Sequence, residues 1–133
     1  MLTCIDSRIE PLDMLGLKPG DAKILRTAGA RVTQDVLRSL VVAVNLLGVE
    51  RVCIVQHTDC AMSQTSNEEL MTTIGQLRDT DASGWDFLVV DDATRTLASD
   101  VNRIRSCRLL PSDLAVTAMV YDVETGLLRR VDV

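Results

Sequence analysis

The chain has 133 residues, of which 47% are hydrophobic and 25% charged, a balance that fits one globular domain and excludes a disordered chain. Fourteen basic against nineteen acidic residues give a net charge of −5, and only three aromatics occur, Trp85, Phe87 and Tyr121. Nucleic-acid binding is excluded on both counts, because it needs a basic surface and stacking rings, and no apolar run approaches the ~20 residues of a membrane span.

The N-terminus has neither the basic flank nor the apolar stretch of a signal peptide, so a cytoplasmic location is expected. Four cysteines occur, Cys4, Cys53, Cys60 and Cys107. In a reducing compartment they read as metal ligands or catalytic thiols rather than a disulfide frame.

Leu2 to Ile5 is a stub of strand that stops at the polar Asp6-Ser7-Arg8. Glu10 to Leu17 reads as a short helix, followed by a turn at Lys18-Pro19-Gly20-Asp21. Ala22 to Arg26 reads as a second strand, broken at Ala28-Gly29. Thr33 is a candidate N-cap, and Leu37, Leu40, Val41, Val44 and Leu47 recur at helical spacing up to a stop at Gly48. Val36, Val42 and Ala43 make that helix apolar on further faces, which implies burial against a sheet and a partner chain.

Val52 to Val55 is a continuous apolar run, the mark of a strand covered on both sides. It ends at Gln56-His57-Thr58-Asp59-Cys60. Ser66-Asn67-Glu68-Glu69 is a capping box that opens a helix with Leu70, Met71, Ile74 and Leu77 on one face. A loop over Asp79 to Gly84 leads towards a helix from Ala93 to Arg108, closed by Pro111. Ala115 to Val123 reads as a strand, Glu124-Thr125-Gly126 as a hairpin turn, and Leu127 to Val133 as a final strand.

This order predicts an α/β fold, with an open, mostly parallel sheet flanked by helices. Four strands are parallel and the C-terminal edge strand is antiparallel. The expected organisation is one domain over residues 1–133. Ligands of such sheets sit beyond the carboxyl ends of the strands, where both polar punctuations fall.

If the first and third strands are neighbours, Cys4, His57 and Cys60 converge. Two thiolates and an imidazole suit Zn²⁺, and three protein ligands leave a fourth position open, the pattern of a catalytic site. Cys4 alone equally reads as a small buried hydrophobe, and a lone His-x-x-Cys is weak. From the residues alone, zinc and plain core packing both remain open. Cys53, inside the apolar run, reads as core, and Cys107 as inert. Asp6-x-Arg8 reads as an ion pair that keeps Asp6 ionised and fixed beside the candidate metal, or as an ordinary surface pair.

Cys4-Ile5-Asp6-Ser7-Arg8 with His57-Thr58-Asp59-Cys60 resembles the β-class carbonic anhydrases of the short bacterial and archaeal type. Arg26-Thr27-Ala28-Gly29-Ala30 resembles a further segment of that family, and Tyr121 to Leu128 its closing hairpin. The resemblance implies reversible hydration of carbon dioxide to bicarbonate by a zinc-bound hydroxide, with one Zn²⁺ per chain held by Cys4, His57 and Cys60. It implies that Asp6 and Arg8 form the catalytic dyad, Asp6 closing the site in some members. It further implies that Gly29 and Ala30 line the substrate pocket, and that the chain forms a homodimer or dimer of dimers.

Three departures stand out. Only three residues precede Cys4, where the family carries an N-terminal arm; Ala61 stands where Gly is usual; Thr27 stands where Asn is usual. Two further readings follow. The same site could hydrolyse carbonyl sulfide or carbon disulfide, or it could be a non-catalytic zinc-binding or regulatory module closed by Asp6. A redox role is the weakest alternative, since no Cys-x-x-Cys occurs.

Overall fold

The structure is a computed structural model that describes residues 1–133. Five strands form one sheet: β1 (Leu2–Cys4), β2 (Leu25–Thr27), β3 (Arg51–His57), β4 (Ala115–Tyr121) and β5 (Leu128–Val131). Their order is β2-β1-β3-β4-β5. The pairs β1–β2, β1–β3 and β3–β4 are parallel, and β4–β5 is antiparallel. The expected architecture is the one observed.

Three helices connect the strands: α1 (Gln34–Leu46), α2 (Asn67–Arg78) and α3 (Ala93–Arg105). Thr33 caps α1 by accepting from the Val36 amide at 3.3 Å, and Gly48 follows with φ +69°, the left-handed backbone that ends a helix. The capping box of α2 is complete, with Ser66 accepting from the Glu69 amide and Glu69 from the Ser66 amide. Asp92 caps α3 through the Arg95 amide at 2.8 Å.

One face of the sheet carries the core. Leu2, Val52, Ile54 and Ala118 lie on it in register and are at most 2% exposed. Val36 and Leu40 of α1 and Leu97, Val101 and Ile104 of α3 close over them. Burying such a side chain contributes roughly 1.5–3 kcal/mol each. Gln56 is a polar member of this face, and its amide nitrogen donates to Thr96 Oγ1 of α3 at 3.1 Å. That bond ties the carboxyl end of β3, where His57 sits, to a helix.

Several boundaries differ from the sequence reading. Glu10 to Leu17 forms only a 3-10 turn at Asp13–Leu15, because Pro11 lacks a donor and Gly16 turns left-handed at φ +65°. The second strand begins at Leu25 rather than Ala22. β3 runs on through Gln56 and His57, which pair with Val120 and Tyr121. α3 stops at Arg105, where the Ser106 amide caps it on Asn102 O and Ile104 O. α2 buries none of its residues, and Leu77 is 75% exposed. α1 has Val42, Leu46 and Leu47 exposed on its outer side. Cys53 is only partly buried and borders a cavity of about 890 Å³ at the end of the sheet opposite His57. Cys107 packs against the core. No helix is long and apolar enough to cross a membrane.

Candidate metal centre

Cys4 and His57 end neighbouring parallel strands, so their side chains arrive together at the carboxyl edge of the sheet. Cys60 follows after a tight turn in which Asp59 is left-handed, at φ +52°. The turn is fixed from behind: Ser63 donates to Cys60 O through its amide at 2.9 Å and its hydroxyl at 2.7 Å. The Thr58 amide bonds to Tyr121 O at 2.9 Å. The result is a buried triad, with the two sulfurs 3.9 Å apart and all three donor atoms within 4.8 Å of one another.

The donors suit a metal. Tetrahedral Zn²⁺ with Zn–S near 2.3 Å requires sulfurs about 3.8 Å apart. His57 Nδ1 donates to Thr58 O at 2.8 Å, which fixes the tautomer and leaves the lone pair of Nε2 facing the thiols. That Nε2 is buried and has no hydrogen-bond partner. An orphaned imidazole nitrogen beside two cysteines is the signature of a ligand set, since burying it unpaired costs free energy.

The electrostatics agree. The Cys4 thiol is pulled down to about 3, chiefly by the Cys60 thiol that donates to it, with His57 and the backbone of Asp6 and Gly29 adding to the effect against burial. Cys60 is pushed up correspondingly, by that same bond and by burial. The pair therefore shares one proton. Burial opposes the charge on His57, but Cys4, the Thr58 carbonyl and Asp6 together outweigh it and raise the His57 pKa.

Asp6 lies beside this triad, its Oδ2 3.9 Å from His57 Nε2. Arg8 grips it through Nε and Nη2 at 3.0 and 2.8 Å, and the Arg8 amide adds a third bond at 2.9 Å. These hold the Asp6 carboxyl well below the usual carboxylate range. Arg8 in turn is shared: Nη1 reaches Asp59 Oδ2 at 2.6 Å and Nη2 reaches Asp59 O at 2.9 Å. Asp59 is steadied by Gln64 at 2.7 Å. Arg26 donates to Cys4 O at 2.9 Å and also to Asp6 O. Asp59, Gln64 and Arg26 are contributors that sequence reasoning did not assign. The signal for Asp59 was its place inside His57-Thr58-Asp59-Cys60.

Gly29 lies against Met62, and a β-carbon on it would meet Met62 Cβ at 3.3 Å and Val90 Cγ2 at 2.8 Å. Ala30 is fully buried. Ile9, Met14, Met62 and Tyr121 form the apolar surroundings of Cys4 and Cys60. Two of the departures are accommodated. Ala61 opens a 3-10 turn without a positive φ, so its methyl group meets no backbone demand for glycine. Thr27 is extended, and its hydroxyl donates to Arg31 O at 2.8 Å.

A profile of the family described as carbonic anhydrase matches residues 1–128. The chain belongs to the β-carbonic anhydrase family. Among its relatives, β-carbonic anhydrase 1 of Mycobacterium tuberculosis is 31% identical over 134 residues, covering 98% of this chain and 80% of that protein. The carbon disulfide hydrolase of Acidianus sp. strain A1-3 is also 31% identical, over 153 residues, covering 98% and 75%. The crystal structure of carbonic anhydrase from Streptococcus mutans superposes with a TM-score of 0.95 at 38% identity, covering 98% of this chain and 79% of that one. This β-carbonic anhydrase fold thus places a Cys-His-Cys group able to hold a metal at the carboxyl edge of its sheet.

Proposed function

We propose that residues 1–133 form one zinc domain that catalyses the reversible hydration of carbon dioxide to bicarbonate and a proton. Cys4, His57 and Cys60 would hold one Zn²⁺ per chain. The observation that carries this reading is the buried, unpartnered His57 Nε2 aimed at two thiols 3.9 Å apart. When bound, Zn²⁺ supplies a Lewis acid that brings the pKa of a water towards neutrality and so provides a nucleophile.

The chain's own residues supply the rest. Thr58 O orients the imidazole. Asp6, kept ionised by Arg8, can only accept a hydrogen bond, and so orients a reacting hydroxyl beside the triad. Arg8, itself held by Asp59, fixes the Asp6 carboxylate in its place beside the ligands. Loss of that grip would let Asp6 swing in and close the site. Apolar Ile9 and Met62, with the backbone of Gly29 and Ala30, provide walls suited to an apolar substrate. The exposed Val42, Leu46 and Leu47 of α1 support a homodimer, alone or paired. The setting we propose is the cytoplasm.

A second reading is hydrolysis of carbon disulfide or carbonyl sulfide at the same residues. It is favoured by the equal identity to the Acidianus carbon disulfide hydrolase. The test is to offer zinc-loaded protein carbon dioxide, carbonyl sulfide and carbon disulfide separately. Carbon dioxide turnover well above the others is the expected result. Turnover of the sulfur compounds alone supports the second reading. None with any substrate, at one zinc per chain, indicates the closed module.

A further inference from the structure

Arg31 and Asp100 form an ion pair inside the molecule that the reaction does not use. Arg31 Nε donates to Asp100 Oδ2 at 2.7 Å, and the side chains are only 11% and 4% exposed. Asp100 stands on α3 among Leu97, Val101 and Ile104, the apolar face that packs on the sheet. A charged pair there is expensive to desolvate, and apolar residues of similar size commonly replace such pairs without loss of stability.

The fork of Arg31 also reaches backbone. Its Nη1 donates to the carbonyls of Leu88 and Val89 at 2.9 and 3.0 Å. Those residues lie between α2 and α3 without regular structure, and Leu88 is held left-handed at φ +54°. The next amide, Val90, donates to Met62 O at 2.8 Å. Val90 also fills the space where Gly29 lacks a side chain. Met62 packs on the cluster of Cys4, Ile9 and Cys60. The Arg31 backbone is itself anchored by the Thr27 hydroxyl.

We infer that Arg31, braced by Asp100, is a positioning residue for the metal centre: it presses Leu88–Val90 onto Gly29 and Met62, and so fixes the turns that carry Cys4 and Cys60. The inference rests on the zinc reading of that centre. It does not require carbon dioxide to be the substrate.

Two variants test it in the zinc-loaded full chain. Arg31→Lys keeps the charge opposite Asp100 but cannot span both carbonyls as the fork does. Arg31→Met combined with Asp100→Leu replaces the pair by apolar groups. Zinc transfer to a chromogenic chelator reads the centre, and hydrogen exchange of the Val90 amide, which is bonded to Met62 O, reads the segment. In both variants zinc transfer and exchange of the Val90 amide should each quicken at least tenfold, while the melting temperature of the double variant stays near the parent's. Parental transfer rates overturn the inference, as does quickening only in step with lost melting temperature. If the double variant does not fold, Arg31→Lys decides alone. Carbon dioxide hydration is measured alongside: its absence in the parent chain defeats the proposed function, while zinc transfer and Val90 amide exchange still judge the brace.

Discussion

At the scale of single residues, the centre is a set of buried donors in which the two thiols bond only to each other and one imidazole nitrogen has no partner. His57 spends Nδ1 on Thr58 O and leaves Nε2 unpaired, open to the metal of the proposed function. Cys60→Ser and His57→Ala should therefore lose zinc, read as metal per chain after dialysis; full occupancy in either would remove that residue from the ligand set. Asp6→Asn should keep its zinc and lose about 10–100-fold in kcat/KM, because an amide no longer only accepts. An unchanged rate there would take Asp6 out of the mechanism. Gly29→Ala puts a methyl group 2.8 Å from Val90 Cγ2 at φ +66°, and should cost about 1–3 kcal/mol in denaturant unfolding. Cys4, Asp6, Arg8, His57 and Cys60 were legible in the sequence because two short motifs carry them. The role of Asp59 and the reach of Arg26 were not, since both depend on which strand ends meet. Nothing local in the sequence marks Arg31, whose partner is 69 residues away.

At the scale of elements, parallel pairing of β1 and β3 is what brings the two motifs together. The Val52 to Val55 run announced a buried strand, but its polar extension through Gln56 and His57 is fixed by pairing with β4, a tertiary fact. Periodicity misled at α2, where apolar positions at helical spacing face no partner in this chain and only the cap is strong. Ser66→Ala should cost about 1 kcal/mol. The reciprocal bond from Glu69 is pH-dependent. Its folded pKa lies below the reference value of 4.5, held down by the Ser66 amide. The contribution of Glu69 is therefore fully present above that value and fades as pH falls through the folded pKa. The difference in melting temperature between the parent and Glu69→Ala should narrow below about pH 4.5; a constant gap would contradict the capping role.

At the scale of the whole molecule, the sheet divides the work. Its carboxyl edge carries the centre, one face carries the core, and the opposite end holds an open cavity of about 890 Å³ bordered by Met1, Cys53 and Met119. The fold class was legible in the order of apolar runs and capping signals, because each element obeys its local chemistry. The outer side of α1 is left exposed at Val42, Leu46 and Leu47 within this chain. Zinc should stabilise the folded state: free metal at a hundred times Kd adds about 2.7 kcal/mol, seen as a higher melting temperature that a chelator reverses. No shift with zinc would contradict a site built by the fold. Under the proposed function, Cys4, His57 and Cys60, with Asp6 beside them, make a zinc-dependent carbon dioxide hydratase. Stopped-flow hydration on zinc-loaded protein from about pH 7 to pH 9, a range that brackets a metal-activated water, tests it most directly. The rate should rise with pH and vanish in Cys60→Ser. No rate at any pH, with zinc confirmed at one per chain, would contradict it.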